Sequence, residues 1–528
     1  MGIVDMNYLS LASIILTFCA AYTISLVIYR LVLSPLANFP GPKLAAATTW
    51  YETFYDVFLN GRFLWEIERM HQEYGPVVRI NPHEIHIHDV KYYTTIYAGP
   101  TKKRSKYPWF LSVGVPHSTF STAEYHGHRT RRAALAPLLT KQAVRGYEPV
   151  IQEKLSYLCR HLDQAICSDA VVELHMCFLS FAVDVVSHIV FGSFMCFDLL
   201  KSQSLDSRWK AGIKGPFARF LLTRHFPFAM TLYRFSPLWL SGLVDPVCKD
   251  GAFIENVSGP LNLDVYLEAP TPEIEKRFTR FFHDCESEVN DRPSNTGILR
   301  DLLENSAGIP ERQRRLRALD DVKFLMIAGT DAPSQVLAIT VFHILRNDSC
   351  CHKLQKELDD ALPNPYYNPP LKMLEALPFL SAIIREGLRI SSVVTSRLPR
   401  IAPTEVLTYE GWSIPPGIPV SMSTYLIHND PVIFPEPSKF QPERWMPDSN
   451  GACLYNGPMP FSKGSQACLG PSMTYCWCYL ALATMFRRYD MILFETSEEN
   501  VKTMRDCFNA QTKPGYDRIQ IKVLGRRK

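Results

Sequence analysis

Asn7–Tyr29 is a run of 23 residues without a formal charge. As a helix it would cover roughly 35 Å, enough to cross a hydrocarbon core of about 30 Å with some tilt. A segment this apolar has either to lie in a membrane or to be cut away. A cleaved signal needs a positive leader and a shorter apolar stretch, whereas only Asp5 is charged before the run. Residues 1–33 are therefore read as a luminal tip and an uncleaved transmembrane anchor. Arg30 and Lys43 follow it, and the positive-inside rule then puts the remainder on the cytoplasmic side. No later run of that length lacks charge. Leu179–Val190 comes nearest, but Asp184 and His188 interrupt it, so it reads as a buried helix. The chain is expected to be single-pass, in contact with membrane lipid, with reduced thiols in a cytoplasmic body. The sequons at Asn256 and Asn347 would then go unglycosylated.

Phe39-Pro40-Gly41-Pro42-Lys43 cannot continue a helix, so residues 34–48 are read as a hinge linker and 49–528 as the body. Val77–Ile80 and Glu84–His88 look like short strands. Helical patterns dominate from Ala123 to Arg389, as in Lys141–Ile166 and Leu174–Val190. Arg397–Leu426 returns to strands and turns, and a last long helix follows Cys468 through Tyr475 to Arg488. The stretch from Asp245 to Asn295 follows no clear period. A length of 528 would suggest about three or four domains, yet no repeat or second linker divides the body. The net charge of +4 gives no electrostatic case for nucleic acid.

Of His83, His86 and His88, the last two share a face on a strand, but two imidazoles with no obvious third ligand make a poor metal site, and no Cys-x₂₋₄-Cys pair is present, which argues against zinc. No Gly-rich nucleotide fingerprint or phosphate loop appears, so the chain is not expected to hold a flavin or nicotinamide of its own. The segment Phe461-Ser462-Lys463-Gly464-Ser465-Gln466-Ala467-Cys468-Leu469-Gly470 stands apart. A Cys before an apolar helix, after a Gly-bearing turn, is placed for thiolate chemistry, since the helix N-terminus lowers a thiol pKa. Gly464 and Gly470 permit tight turns and close approach to something flat.

This segment resembles the heme-binding loop of the cytochrome P-450 family, F-x-x-G-x-R-x-C-x-G. Four further matches occur in the family's order: Phe39–Pro42 with its hinge, Ala328-Gly329-Thr330-Asp331 with its oxygen-binding helix, Glu386-Gly387-Leu388-Arg389 with E-x-x-R, and Phe440–Trp445 with F-x-P-E-R. The resemblance implies a mainly α fold with small β-sheets behind one N-terminal transmembrane helix. It implies heme b with Cys468 as the axial ligand of iron, in a loop marked by Phe461, Gly464, Gln466 and Gly470. His128, Arg129 and Arg400 would contact the propionates, with Arg397 as the alternate. Glu386, Arg389 and Arg444 would form a structural charge network. Thr330, Asp331, Ala332 and Ser334 would lie over the oxygen site. NADPH-cytochrome P-450 reductase would be the electron donor, docking near Arg131, Arg132, Lys463, Arg487 and Arg488, and the endoplasmic reticulum membrane the location. O₂ and a small apolar substrate would meet in a pocket drawn from Pro108–Val115, Leu325–Ala332 and Val393–Leu398.

Ser118–Glu124, running into His128–Arg132, is similar to filamentous-fungal members of secondary metabolism of the trichodiene oxygenase kind. That implies a monooxygenase acting on a terpenoid, alkaloid or polyketide intermediate in secondary-metabolite or mycotoxin biosynthesis. Two residues depart from the family pattern. Gln466 replaces the propionate-binding Arg and loses its charge-assisted fork. Ala332 stands where a Thr usually helps deliver protons, and Thr330 and Ser334 are each two residues away, about 200° around a helix. These departures leave two other readings open: a heme-thiolate enzyme that rearranges, couples or desaturates, and a non-catalytic heme-binding membrane protein.

Overall fold

The computed structural model describes residues 8–111, 115–193, 195–202, 205, 207–227, 274–280, 297–304, 308–446 and 460–527. Most of Asp245–Asn295 and the sequon at Asn256 lie outside them. Asn347 lies inside, and its side chain caps a helix by accepting the Cys350 N–H.

The apolar run forms a helix, α1 (Tyr8–Ile28), continued by one wider turn at Tyr29–Leu33. Leu11–Leu33 has a mean hydropathy of 2.2 and none of it is buried in the body, so it is long and apolar enough to cross a membrane. Residues 34–48, expected as a linker, are seated on the body. Leu36 and Phe39 are buried, and Phe39 meets the Trp412 ring at 4.9 Å. Pro40 O accepts the Arg79 N–H at 2.7 Å, and the Arg79 guanidinium donates back to Arg30 O at 2.8 Å. Gly41 has φ +147°, and a Cβ there would lie 2.6 Å from Arg79 O, so the glycine permits this approach.

The five-stranded sheet on which this segment rests consists of β1 (Val77–Arg79), β2 (Ile85–Ile87), β3 (Ser105–Lys106), β4 (Arg400–Ile401) and β5 (Pro419–Ser421), ordered β1-β2-β5-β4-β3. Its register sets Lys106 directly opposite Arg400. Like charges in that position repel, so the sheet edge carries an unbalanced positive pair.

The largest core gathers α2 (Lys141–Ser168), α3 (Leu174–Phe191), α4 (Asp331–Leu345), α5 (Pro378–Ser391) and α6 (Pro471–Arg488). Helix α3 is buried along nearly its whole length, which explains why it is apolar on every face. The charge of Asp184 inside it is met by the N–H groups of Leu199 and Leu200 at 2.6 and 2.9 Å. Helices α4 and α5 approach closely at Gly387, where a Cβ would fall 2.1 Å from the Thr340 hydroxyl. A further helix, Glu311–Ala328, leads into α4 and is broken from it at Gly329-Thr330. Pro333 causes the break: it lacks the N–H that would reach Gly329 O four residues back.

Candidate active site

The Cys loop closes on itself and on the segment Tyr97–Ala98. Cys468 N–H donates to Phe461 O at 2.9 Å, and Ser465 N–H donates to Ala98 O at 3.0 Å. Gly464 has φ +77°, and a Cβ there would strike Ala98 O at 2.2 Å and Tyr97 O at 2.4 Å, so glycine is required on both grounds. Phe461 packs on the Tyr475 ring at 5.8 Å, tying the loop to α6. A Cβ at Gly470 would meet nothing within 4 Å, so protein packing does not demand this glycine. The Cys468 side chain is accessible, yet burial is the first cause acting on its thiol and raises the pKa. The Gly470 N–H, at 3.3 Å from the sulfur, and the Arg132 guanidinium pull the other way. The lowered thiol pKa expected from the helix N-terminus is therefore overturned by desolvation.

On α5, Glu386 accepts five hydrogen bonds: two from Arg389 (2.9 and 2.8 Å) and one each from Arg444 Nε (3.1 Å), Gln441 N–H (3.0 Å) and Trp445 Nε1 (2.8 Å). All three charged residues are buried. The second positive charge is shared out over His428 O and Pro435 O.

A second set of basic groups, buried except for the half-buried Arg132, has no such acceptor among the described residues. His128 and Arg132 lie one turn apart on the helix Tyr125–Leu135, and Arg132 reaches Cys468 O at 3.5 Å. Lys106 and Arg400 face each other on β3 and β4, and donate to backbone carbonyls of Phe120 and Leu398. Burial comes first in depressing the pKa of Lys106 and of His128, the latter to about 3, and the neighbouring arginines add to it. Arg129 is exposed and no described protein group holds it. Arg397, the alternate, is spent elsewhere: it pairs with Glu52 at 2.6 Å and Glu84 at 2.8 Å. Gln466 donates to Arg104 O at 2.5 Å, and its Oε1 is buried without a partner.

On the broken helix, Ala328 is exposed and Ala332 half-buried, one turn apart, while Thr330, Asp331 and Ser334 are buried. The Thr330 hydroxyl donates to Met326 O at 2.5 Å and the Ser334 hydroxyl to Asp331 O at 2.7 Å. Pro333 breaks the helix without re-aiming Ser334, so neither hydroxyl reaches the open face. Asp331 accepts from Gln335 and Asn509 at 2.8 and 2.7 Å.

The family model of cytochrome P-450 matches residues 47–239 and 272–516 of this chain. The chain is a cytochrome P-450. It is 36% identical over 513 residues to the cytochrome P-450 monooxygenase sdnE of Sordaria araneosa, covering 96% of each chain. It is 37% identical over 506 residues to the tryptophan 6-hydroxylase fscE of Fusarium equiseti, covering 96% of this chain and 95% of that one. It is 35% identical over 489 residues to a conidiogenone synthase of Penicillium rubens, covering 92% and 94%. These relatives are fungal catalysts, as the residues around Ser118–Arg132 suggested, and the non-catalytic reading is set aside. The protein is a heme-thiolate monooxygenase that takes electrons from a redox partner and uses O₂ on a small substrate.

The residues of this P-450 fit such a group. An accessible sulfur on a loop fixed by Gly464 suits iron. Lys106, Arg132 and Arg400, with the neutral His128 beside them and no carboxylate paired to them among the described residues, suit the two acidic arms of a porphyrin. Lys106 and Arg132 were not foreseen in this place. Nothing local marks Lys106, because its neighbour Arg400 is far away in the sequence. Of the proposed docking cations, Lys463 is exposed. Arg131 pairs with Asp321 at 3.1 Å, Arg487 donates to Leu362 O and Pro363 O, and Arg488 to Pro365 O and Asn368. Those three hold the fold. Of the pocket segments, Pro108–Val115 contributes a buried Phe110, with 112–114 outside the described residues. In Val393–Leu398, the hydroxyls of Thr395 and Ser396 are bound to Asp506. Rings from distant segments converge instead: Phe120 stacks on Phe324 at 4.4 Å, and Phe508, at a hairpin tip, meets Phe217 at 6.2 Å and Phe220 at 5.5 Å.

Proposed function

We propose that this P-450 holds heme b through the Cys468 thiolate and oxidises an apolar terpenoid, alkaloid or polyketide intermediate of a fungal secondary-metabolite or mycotoxin pathway. The observation that carries the cofactor assignment is the accessible Cys468 sulfur beside Lys106, Arg132 and Arg400, which have no paired carboxylate among the described residues. Bound there, the heme supplies the O–O cleavage chemistry that a thiolate ligand promotes. The chain's own groups do the rest. Lys106, His128, Arg129, Arg132 and Arg400 receive the propionates, Glu386 with Arg389 and Arg444 holds the Cys loop in place, and the aromatic rings around Phe508 exclude water and seat an apolar substrate. NADPH-cytochrome P-450 reductase is the electron donor, and Lys463 on the loop is a contact for it. The body lies on the cytoplasmic side of the endoplasmic reticulum membrane, with α1 crossing it. The test is the spectrum of the reduced, CO-bound protein followed by reductase- and NADPH-dependent turnover; a protein that shows no thiolate-type band overturns the assignment.

Gln466 predicts weaker heme retention than its position allows. Gln466→Arg is expected to slow transfer of heme to a scavenging apoprotein by about tenfold, the equivalent of one charge-assisted hydrogen bond of roughly 1.5 kcal/mol. A transfer rate equal to wild type would show that the cations above already saturate the propionates.

A second reading, rearrangement, coupling or desaturation in place of hydroxylation, is favoured by the absence of any hydroxyl on the Ala328–Ala332 face. Ala332→Thr is expected to raise the product formed per NADPH consumed if the missing hydroxyl limits oxygen insertion. Tight coupling in the wild type, unchanged in Ala332→Thr, would show that the hydroxyl is dispensable.

A further inference from the structure

Two buried polar atoms near the break in the long helix face each other and have no other partner. One is Asp331 Oδ1 and the other His175 Nε2, 3.6 Å apart. Asp331 is 2% exposed and His175 4%, and leaving such atoms unpaired costs about 1–3 kcal/mol each. The other Asp331 oxygen is held by Gln335 and Asn509, so the carboxyl is anchored with its free oxygen toward the imidazole. His175 lies in the first turn of α3. Glu173 is committed to that helix end, accepting the N–H groups of His175 and Met176.

Charged groups that act on this pair extend to the surface. Lys210 and Lys214, on the helix Ser207–His225, act on His175, and Lys214 also on Asp331. Lys214 pairs with Asp517 at 2.8 Å, and Lys210 with Asp517 at 3.5 Å and Glu173 at 3.3 Å. The Asp517 side chain is 40% exposed.

We propose that His175 is a proton-relay residue that recharges Asp331, taking over the supply that a hydroxyl at position 332 would otherwise assist. The proposal rests on the heme-thiolate reading above. A proton from the solvent side enters the imidazole, and the Nε2 proton passes to Asp331 Oδ1. The protonated acid gives up its hydrogen bonds from Gln335 and Asn509, turns, and passes the proton to a solvent water on the neighbouring Ala328–Ala332 face, which regenerates the carboxylate. Tautomer exchange resets the ring, and one proton has moved with no other change. Because Thr330 and Ser334 are tied to backbone carbonyls, Asp331 is the ionisable group nearest that face along the chain.

Burial lowers the His175 pKa below its usual 6.5, with Lys210 and Lys214 adding to this and Asp331 opposing it. Burial pushes the Asp331 carboxyl up, but the nearby His175 and the hydrogen bonds from Gln335 and Asn509 outweigh it and hold the group below 3.8. The pair therefore rests neutral and ionised at pH 7, and a proton-limited rate should rise as pH falls below about 6.5. The experiment uses holoprotein with an NADPH-dependent flavoprotein reductase and no added substrate, reading NADPH consumption and hydrogen peroxide release against pH, in H₂O and D₂O. In His175→Gln the rate is expected to fall about tenfold or more and the rise at low pH to vanish, with heme content and CO spectrum unchanged. Asp331→Asn should show the same flat profile, and the double variant should be no slower than either single one. A wild-type pH profile in either single variant, or additive losses in the double variant, would overturn the relay. Absence of the thiolate-type CO band in the wild type would instead overturn the heme reading, so the two failures are distinguishable.

Discussion

Cys468→Ala is expected to leave a folded protein that binds little heme, shows no thiolate-type CO band and has no detectable reductase-dependent turnover. The backbone supports the first part: the Cys468 N–H bond to Phe461 O and the Gly464 turn do not involve the sulfur. The side chain is exposed, and its sulfur accepts one hydrogen bond, from Gly470 N–H, so truncation opens no large cavity. What disappears is the soft anionic donor that iron needs. Circular dichroism and the extracted heme per mole of protein check the two halves separately. A Cys468→Ala protein that kept the band would place the ligand elsewhere.

Glu386→Ala should fail earlier, at the level of the fold. The substitution removes the acceptor of five hydrogen bonds and leaves the Arg389 and Arg444 guanidiniums buried against carbonyl oxygens alone. Breaking a buried pair by deleting one partner costs about 3–5 kcal/mol, a large share of the roughly 5–15 kcal/mol that stabilises a typical domain. The expected outcome is a protein recovered mainly in insoluble form, with urea unfolding of any soluble fraction shifted to lower concentration. Glu386→Gln, which keeps the shape and one acceptor, should lose less. Equal midpoints for Glu386→Ala and wild type would mean that the network contributes nothing net.

The sequence reveals what is local. The Cys loop, the Glu386–Arg389 spacing and the buried character of Leu179–Val190 all depend on residues within a turn or two of one another, and the structure assembles each. The hydroxyls of Thr330 and Ser334 were legible in part: their angular distance from Ala332 follows from helix geometry, but their bonds to Met326 O and Asp331 O do not. Exposure is not local. Arg131, Arg487 and Arg488 look like docking charges on paper, and each is spent on Asp321 or on carbonyls and an amide of another segment. Lys106 and His175 were invisible because their significance comes from Arg400 and Asp331, which only the folded sheet and helix packing bring near.

The Lys106–Arg400 register has a consequence for how much of this protein a cell can keep. Two cations opposed across a sheet edge, beside His128 and Arg132, are a standing cost to the empty polypeptide and a site of gain once two carboxylates arrive. A ligand bound by the folded chain alone stabilises it by RT ln(1 + [L]/Kd). Folding yield and heme supply are thereby coupled, so a shortage of porphyrin would be felt as proteolytic turnover of the polypeptide before it was felt as an accumulation of inactive enzyme.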